Sequence, residues 1–148
     1  MSEHGNLVDA LITQFQTDVS GATNWRFFTY EPVQHQGAGQ NCAVWFAGEA
    51  PAAEFATAGS HDMVEEYHVR YWEPAPEKAT GLVVDEAAAE AVETLYDDLK
   101  ASVYAHQAVS TSYQVWFAGG QMLVGGDVEG KIRGFEVVIS ARRVVAFT

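Results

Sequence analysis

A chain of 148 residues that is 48% hydrophobic can bury a core without metal or disulfide help, which excludes disorder of the chain as a whole. Twenty acidic residues against eight basic ones give a net charge of −12, which excludes nucleic-acid binding by phosphate neutralisation and disfavours an anionic membrane. No apolar block approaches the ~20 residues of a membrane span, the polar start Met1-Ser2-Glu3-His4-Gly5-Asn6 has no signal-peptide core, and Cys42 is the only cysteine, so one reduced, intracellular domain is expected.

Asn6 is a good helix N-cap, with Asp9 three residues on. Leu7, Val8, Leu11, Ile12, Phe15 and Val19 then recur at helical spacing, and Gly21 supplies the stop, so an amphipathic packing helix is predicted. Trp25 to Tyr30 is rich in aromatics, ends at Pro32 and reads as a strand or extended arm. Residues 33–40 read as a loop and Cys42 to Ala47 as a first buried strand. Residues 48–62 read as a long connection, whose Phe55 docks against something.

Met63 to Trp72 alternates, with Tyr67, Val69 and Tyr71 on one face and Glu66, His68 and Arg70 on the other. A Pro-rich link then leads to Asp85, the cap of a second helix whose apolar stripe is Ala88, Ala91, Val92, Leu95, Leu99 and Val103, running to about His106. Tyr113 to Ala118 reads as a second buried strand. The segment Gln121 to Asp127 resembles a hairpin, and Ile132 to Phe147 a closing strand. Adjacent Arg142 and Arg143 would point to opposite faces of that strand, which predicts a bulge, a bend or a partner contact.

The tetrapeptide Trp-Phe-Ala-Gly occurs twice, at Trp45–Gly48 and Trp116–Gly119, each time after a helical stretch and before a strand. The expectation is a single α+β domain over residues 1–148, a mostly antiparallel sheet with two amphipathic helices on one face, and a helix–strand–strand unit repeated over 1–76 and 77–148.

Chemistry-bearing patterns are sparse. His61, Asp62, Glu65, Glu66 and His68 are the one cluster resembling a metal or acid–base site, but alternation turns Glu65 away from Glu66 and His68, and a solvated strand face accounts for the rest. There is no nucleophile elbow, Walker loop or dinucleotide-binding glycine pattern. The glycines from 119 to 126 read as turns, and Glu86, Glu90, Glu93, Asp97 and Asp98 as a solvated helix face. No enzyme, metal or cofactor is expected. Trp45 and Trp116 lie in apolar runs and read as core. Trp25 and Trp72, at element ends, read with Phe55 as anchors for a partner.

The opening helix Leu7–Val19, the strand Tyr67-His68-Val69-Arg70-Tyr71-Trp72, the helix Asp85–His106 and the closing strand Phe135–Val145 together resemble, in layout and length, the tail terminator proteins of long-tailed phages. The resemblance implies a homo-oligomeric ring of six in the virion, made in the host cytoplasm. Such a ring caps the tail tube protein and offers its other face to head-completion proteins, while DNA passes through without specific binding. Glu65 and Glu66 would then be channel-lining candidates, and Trp25, Phe55, Trp72, Arg142 and Arg143 interface candidates. A head-closure or tail tube subunit shares this setting. A reading from another class is a small-ligand-binding domain, with Trp45, Phe46, Trp116 and Phe117 around an apolar pocket.

Overall fold

The computed structural model describes residues 3–35, 39–51, 63–75, 86–110, 113–127 and 130–143. Helix α1 (Glu3–Asp18) leads through a 3-10 turn (Ala22–Asn24) to strands β1 (Arg26–Phe28), β2 (Asn41–Pro51) and β3 (Met63–Pro74). Helix α2 (Glu86–Ala105) and strands β4 (Ala108–Ser110), β5 (Tyr113–Asp127) and β6 (Gly130–Arg143) follow. The strands form one sheet in the order β1-β2-β3-β6-β5-β4, antiparallel throughout except for β1 beside β2.

Both helices pack on one face, as expected for this α+β pattern. Leu7, Leu11 and Phe15 of α1 and Val92, Leu99 and Val103 of α2 share one core with Val44, Tyr67, Val69, Tyr71, Phe135, Val137 and Ile139 of the sheet. Fully buried side chains such as Leu11 and Phe15 each contribute about 1.5–3 kcal/mol. The helices are also tied to each other by polar contacts. Gln14 Nε2 donates to the Ser102 carbonyl at 3.1 Å, Ser102 Oγ donates to Asp18 Oδ2 at 2.7 Å, and His106 Nε2 lies 2.9 Å from the same oxygen.

The repeated tetrapeptide is a repeated β-bulge. On β2, Phe46 opposes Tyr67 and Gly48 opposes Glu66, so Ala47 is the extra residue. On β5, Phe117 opposes Ile139 and Gly119 opposes Val138, so Ala118 is the extra residue. Because Tyr67 also opposes Ile139, the residues Phe46, Tyr67, Ile139 and Phe117 form one row across four strands. The register thus relates β2–β3 to β5–β6 by an approximate two-fold through the Tyr67·Ile139 pair. Gly48 has φ +154°, a conformation other residues rarely adopt, which accounts for the glycine that closes the β2 copy of the motif.

Several sequence expectations are corrected. Helix α1 begins at Glu3, before the Asn6 cap, because His4 stacks on Phe46 at 4.0 Å and reaches Glu65. Strand β2 continues to Pro51, so residues 48–51 belong to the sheet rather than to a connection. Strand β5 runs unbroken from Tyr113 to Asp127, where turns were expected from its glycines; continuous pairing with β6 overrides their weak strand propensity. Arg142 opposes Val64 and Gln114, and Arg143 opposes Met63 and Tyr113, with no bulge or bend at either. The short strand β4 was not anticipated.

Glycine is required at one point of closest approach. A Cβ at Gly134 would overlap the Tyr71 carbonyl, whereas at Gly120 it would meet only the hydroxyl end of Tyr96, which can swing away. Gly134→Ala should therefore lower stability by roughly 3 kcal/mol or more, and Gly120→Ala by less than about 1 kcal/mol, read from urea midpoints.

Candidate functional site

Among the described residues the two outer edges of the sheet are only partly paired. Strand β4 pairs only with Tyr113 and Gln114, so among the described residues β5 has no outer partner strand from Trp116 to Asp127. From Tyr113 to Gly126 this strand contains no charge and no proline. Along it Trp116, Met122 and Val124 are 38%, 44% and 89% exposed. Proteins blunt free edges with lysine, proline or bulges, and here only the Ala118 bulge is present.

The opposite edge is its counterpart. Strand β1 pairs with Asn41, Cys42 and Ala43 alone, which leaves β2 open from Val44 to Pro51 among the described residues. A groove of about 610 Å³ lies against this edge. Its walls are His4, Gly5, Val8 and Asp9 of α1, Thr29-Tyr30-Glu31 beyond β1, and Trp45 and Phe46 of β2.

The sheet face away from the helices is polar at its centre. His68 Nε2 lies 3.1 Å from Glu66 Oε2 and its Nδ1 3.3 Å from Glu136 Oε1. Arg70 Nη2 donates to Glu136 Oε1 at 3.0 Å and Nη1 to His35 Nε2 at 3.3 Å, while the guanidinium lies 5.4 Å above the Trp45 ring. Each carboxylate or cation of this cluster is engaged by another member.

Under the start of α1, on the helix face, sits a second cluster. Alternation alone would turn Glu49 to the far face with Trp45, but the Ala47 bulge shifts the phase and pairs Glu49 with the inward-facing Glu65. Glu65 is fully buried. Tyr67 Oη donates to its Oε2 at 3.2 Å, and His4 Nδ1 approaches its Oε1 to 2.8 Å, out of line for a directed hydrogen bond, so that oxygen lacks an aligned donor. Burial raises the Glu65 pKa, opposed by His4 and by the Tyr67 hydrogen bond and reinforced by Glu49. Burial, with Glu65 beside it, pushes the Tyr113 hydroxyl up to about 12. The Cys42 thiol is raised strongly by complete burial, which removes it as a nucleophile.

The anticipated site residues are dispersed. Trp25 is buried against Phe27 and Tyr71, and Trp72 is buried between Phe28 and His35, so neither ring is available to anchor a partner. Glu65 cannot line a channel, because it faces the core; Glu66, 54% exposed on the bare face, can. Trp116 is not a core residue but half-exposed on the same bare face, while Trp45 is buried as expected. Phe55, His61 and Asp62 lie outside the described residues. Trp45-Phe46 and Trp116-Phe117 are separated by β3 and β6 and do not line one pocket. Sequence reasoning missed His4 and Glu49 because no strand pattern announces a bulge, although the duplicated Trp-Phe-Ala-Gly was its mark. Among the described residues no helix is long and apolar enough to cross a membrane. The chain matches no protein-family profile and no curated protein.

The two tryptophans of the duplicated motif should behave differently. Trp45→Ala is expected to cost about 3–5 kcal/mol of folding stability and Trp116→Ala about 1 kcal/mol or less, measured by chemical denaturation.

Proposed function

We propose that this chain is a ring-forming structural subunit of a long-tailed phage, a tail terminator that caps the tail tube and meets the head-completion proteins. The observation that carries the reading is that, among the described residues, the edges at opposite sides of one sheet are open. A surface that joins to a different surface of its own kind is heterologous, and such contacts close into rings when the rotation permits. Strand direction fits as well. Strands β2 and β5 run oppositely across the sheet, and rotation about an axis along the strands preserves direction. The β5 edge of one copy would then meet the β2 edge of the next antiparallel, continuing the sheet.

In this arrangement the uncharged β5 edge lies along the groove of a neighbour, where Trp45 and Phe46 supply apolar contact. The helices face outward and the bare face lines the channel. There Arg70 is already held by Glu136, so its charge is not offered to phosphate, and Glu66 leaves an acidic contribution. Passing DNA meets little to retain it. A tube or head-closure subunit would share the same edges and differ in where assembly stops.

Light scattering and negative-stain imaging of the purified protein, alone and with tail tubes, test the reading. Rings of about six copies are expected, and Val124→Lys, which puts a charge on the open edge, should leave a folded monomer. Long open tubes would move the assignment to a tube subunit. A monomer indifferent to tubes would overturn the ring.

A further inference from the structure

The cluster beneath the first turn of α1 borders the groove that receives the neighbouring copy, but its chemistry is that of a ligand set. His4 Nδ1 and one carboxylate oxygen each from Glu49 and Glu65 lie within 4.8 Å of one another. A histidine with two carboxylates is a donor set for a borderline transition cation such as zinc, whereas calcium and magnesium call for six or more oxygens. Three elements bring these donors together, α1, β2 and β3, and only the Ala47 bulge turns Glu49 inward.

A second, independent observation points to an occupant. Glu65 is fully buried, and its Oε1 meets His4 Nδ1 at 2.8 Å as an ion-pair contact. Neither that oxygen nor the neighbouring buried Tyr113 hydroxyl has a hydrogen bond of good geometry, a costly arrangement that a bound cation would relieve. The other oxygen, Oε2, is held by the Tyr67 hydroxyl at 3.2 Å, which fixes the carboxylate with Oε1 directed toward His4. His4 also lines the groove on the β2 edge, which gives a cation a route to the cluster in the unassembled chain.

We propose that His4, Glu49 and Glu65 bind one divalent transition-metal cation of the zinc class, which clamps the start of α1 onto β2 and β3. The cation takes the imidazole Nδ1 lone pair, with the proton on Nε2, and offsets two carboxylates of which one is out of water. Its role is structural, and it stands independently of the ring.

Isothermal titration of the untagged full chain with zinc chloride, with magnesium chloride as control, tests the site. One zinc per chain is expected, with no heat from magnesium. Glu49→Gln and His4→Gln change exposed or half-buried side chains, so circular dichroism should be unaltered while zinc affinity falls more than about tenfold. Zinc should raise the melting temperature of the wild type and not that of Glu49→Gln. Absence of zinc uptake by the wild type overturns the proposal. So does uptake that survives Glu49→Gln, or that is lost instead in Glu66→Gln or His68→Gln on the bare face.

Discussion

The uninterrupted pairing of β3 with β6, from Met63↔Arg143 to Pro74↔Ile132, is the constraint on which the other features depend. It joins the two halves of the chain, and with α1 and α2 laid over the same face it makes one core from segments far apart in sequence. The pair is close-fitting, since Gly134 leaves no room for a side chain over the Tyr71 carbonyl. It also sets the approximate two-fold, and so the placement of the two bulges at equivalent positions on β2 and β5. Shifting this register by one residue would turn Tyr67, Val69 and Tyr71 to the bare face and Glu66, His68 and Arg70 into the core.

From that arrangement the outer edges follow. Strands β1 and β4 are three residues each and cover only the first residues of β2 and β5. The halves then diverge in chemistry. The exposed part of β2 ends in Glu49-Ala50-Pro51 beside a groove, whereas β5 continues without charge to Gly126. One edge is suited to receive and the other to be received. A net charge of −12 opposes indiscriminate association of such a chain, so an uncharged edge is a specific exception rather than a general stickiness.

Much of the fold was legible in the sequence because it rests on periodicity. The 3.6-residue recurrence of Leu7, Leu11 and Phe15 and of Val92, Leu99 and Val103, and the alternation of Tyr67, Val69 and Tyr71, report burial directly. What was not legible depends on pairing. Glycine-rich 119–126 is turn-like by propensity, and only its partner strand makes it part of β5. Trp25 and Trp72 sit at element ends, yet Tyr71 and Phe28 cover them from elsewhere in the chain. Likewise Glu49 and Glu65 are sixteen positions apart and alternate out of phase until a bulge corrects them. The open edges are a property of how few residues β1 and β4 contribute, which no local pattern encodes.

The central claim is that the β5 edge is covered by a neighbouring copy, and amide hydrogen exchange reads that edge directly. In the assembled state, amides between Trp116 and Asp127 that face away from β6 should gain protection relative to the monomer, together with those on the outer edge of β2 from Val44 to Pro51. Assembly that leaves both edges exchanging as fast as in the monomer would contradict the account, because the copies would then be joined by some other surface.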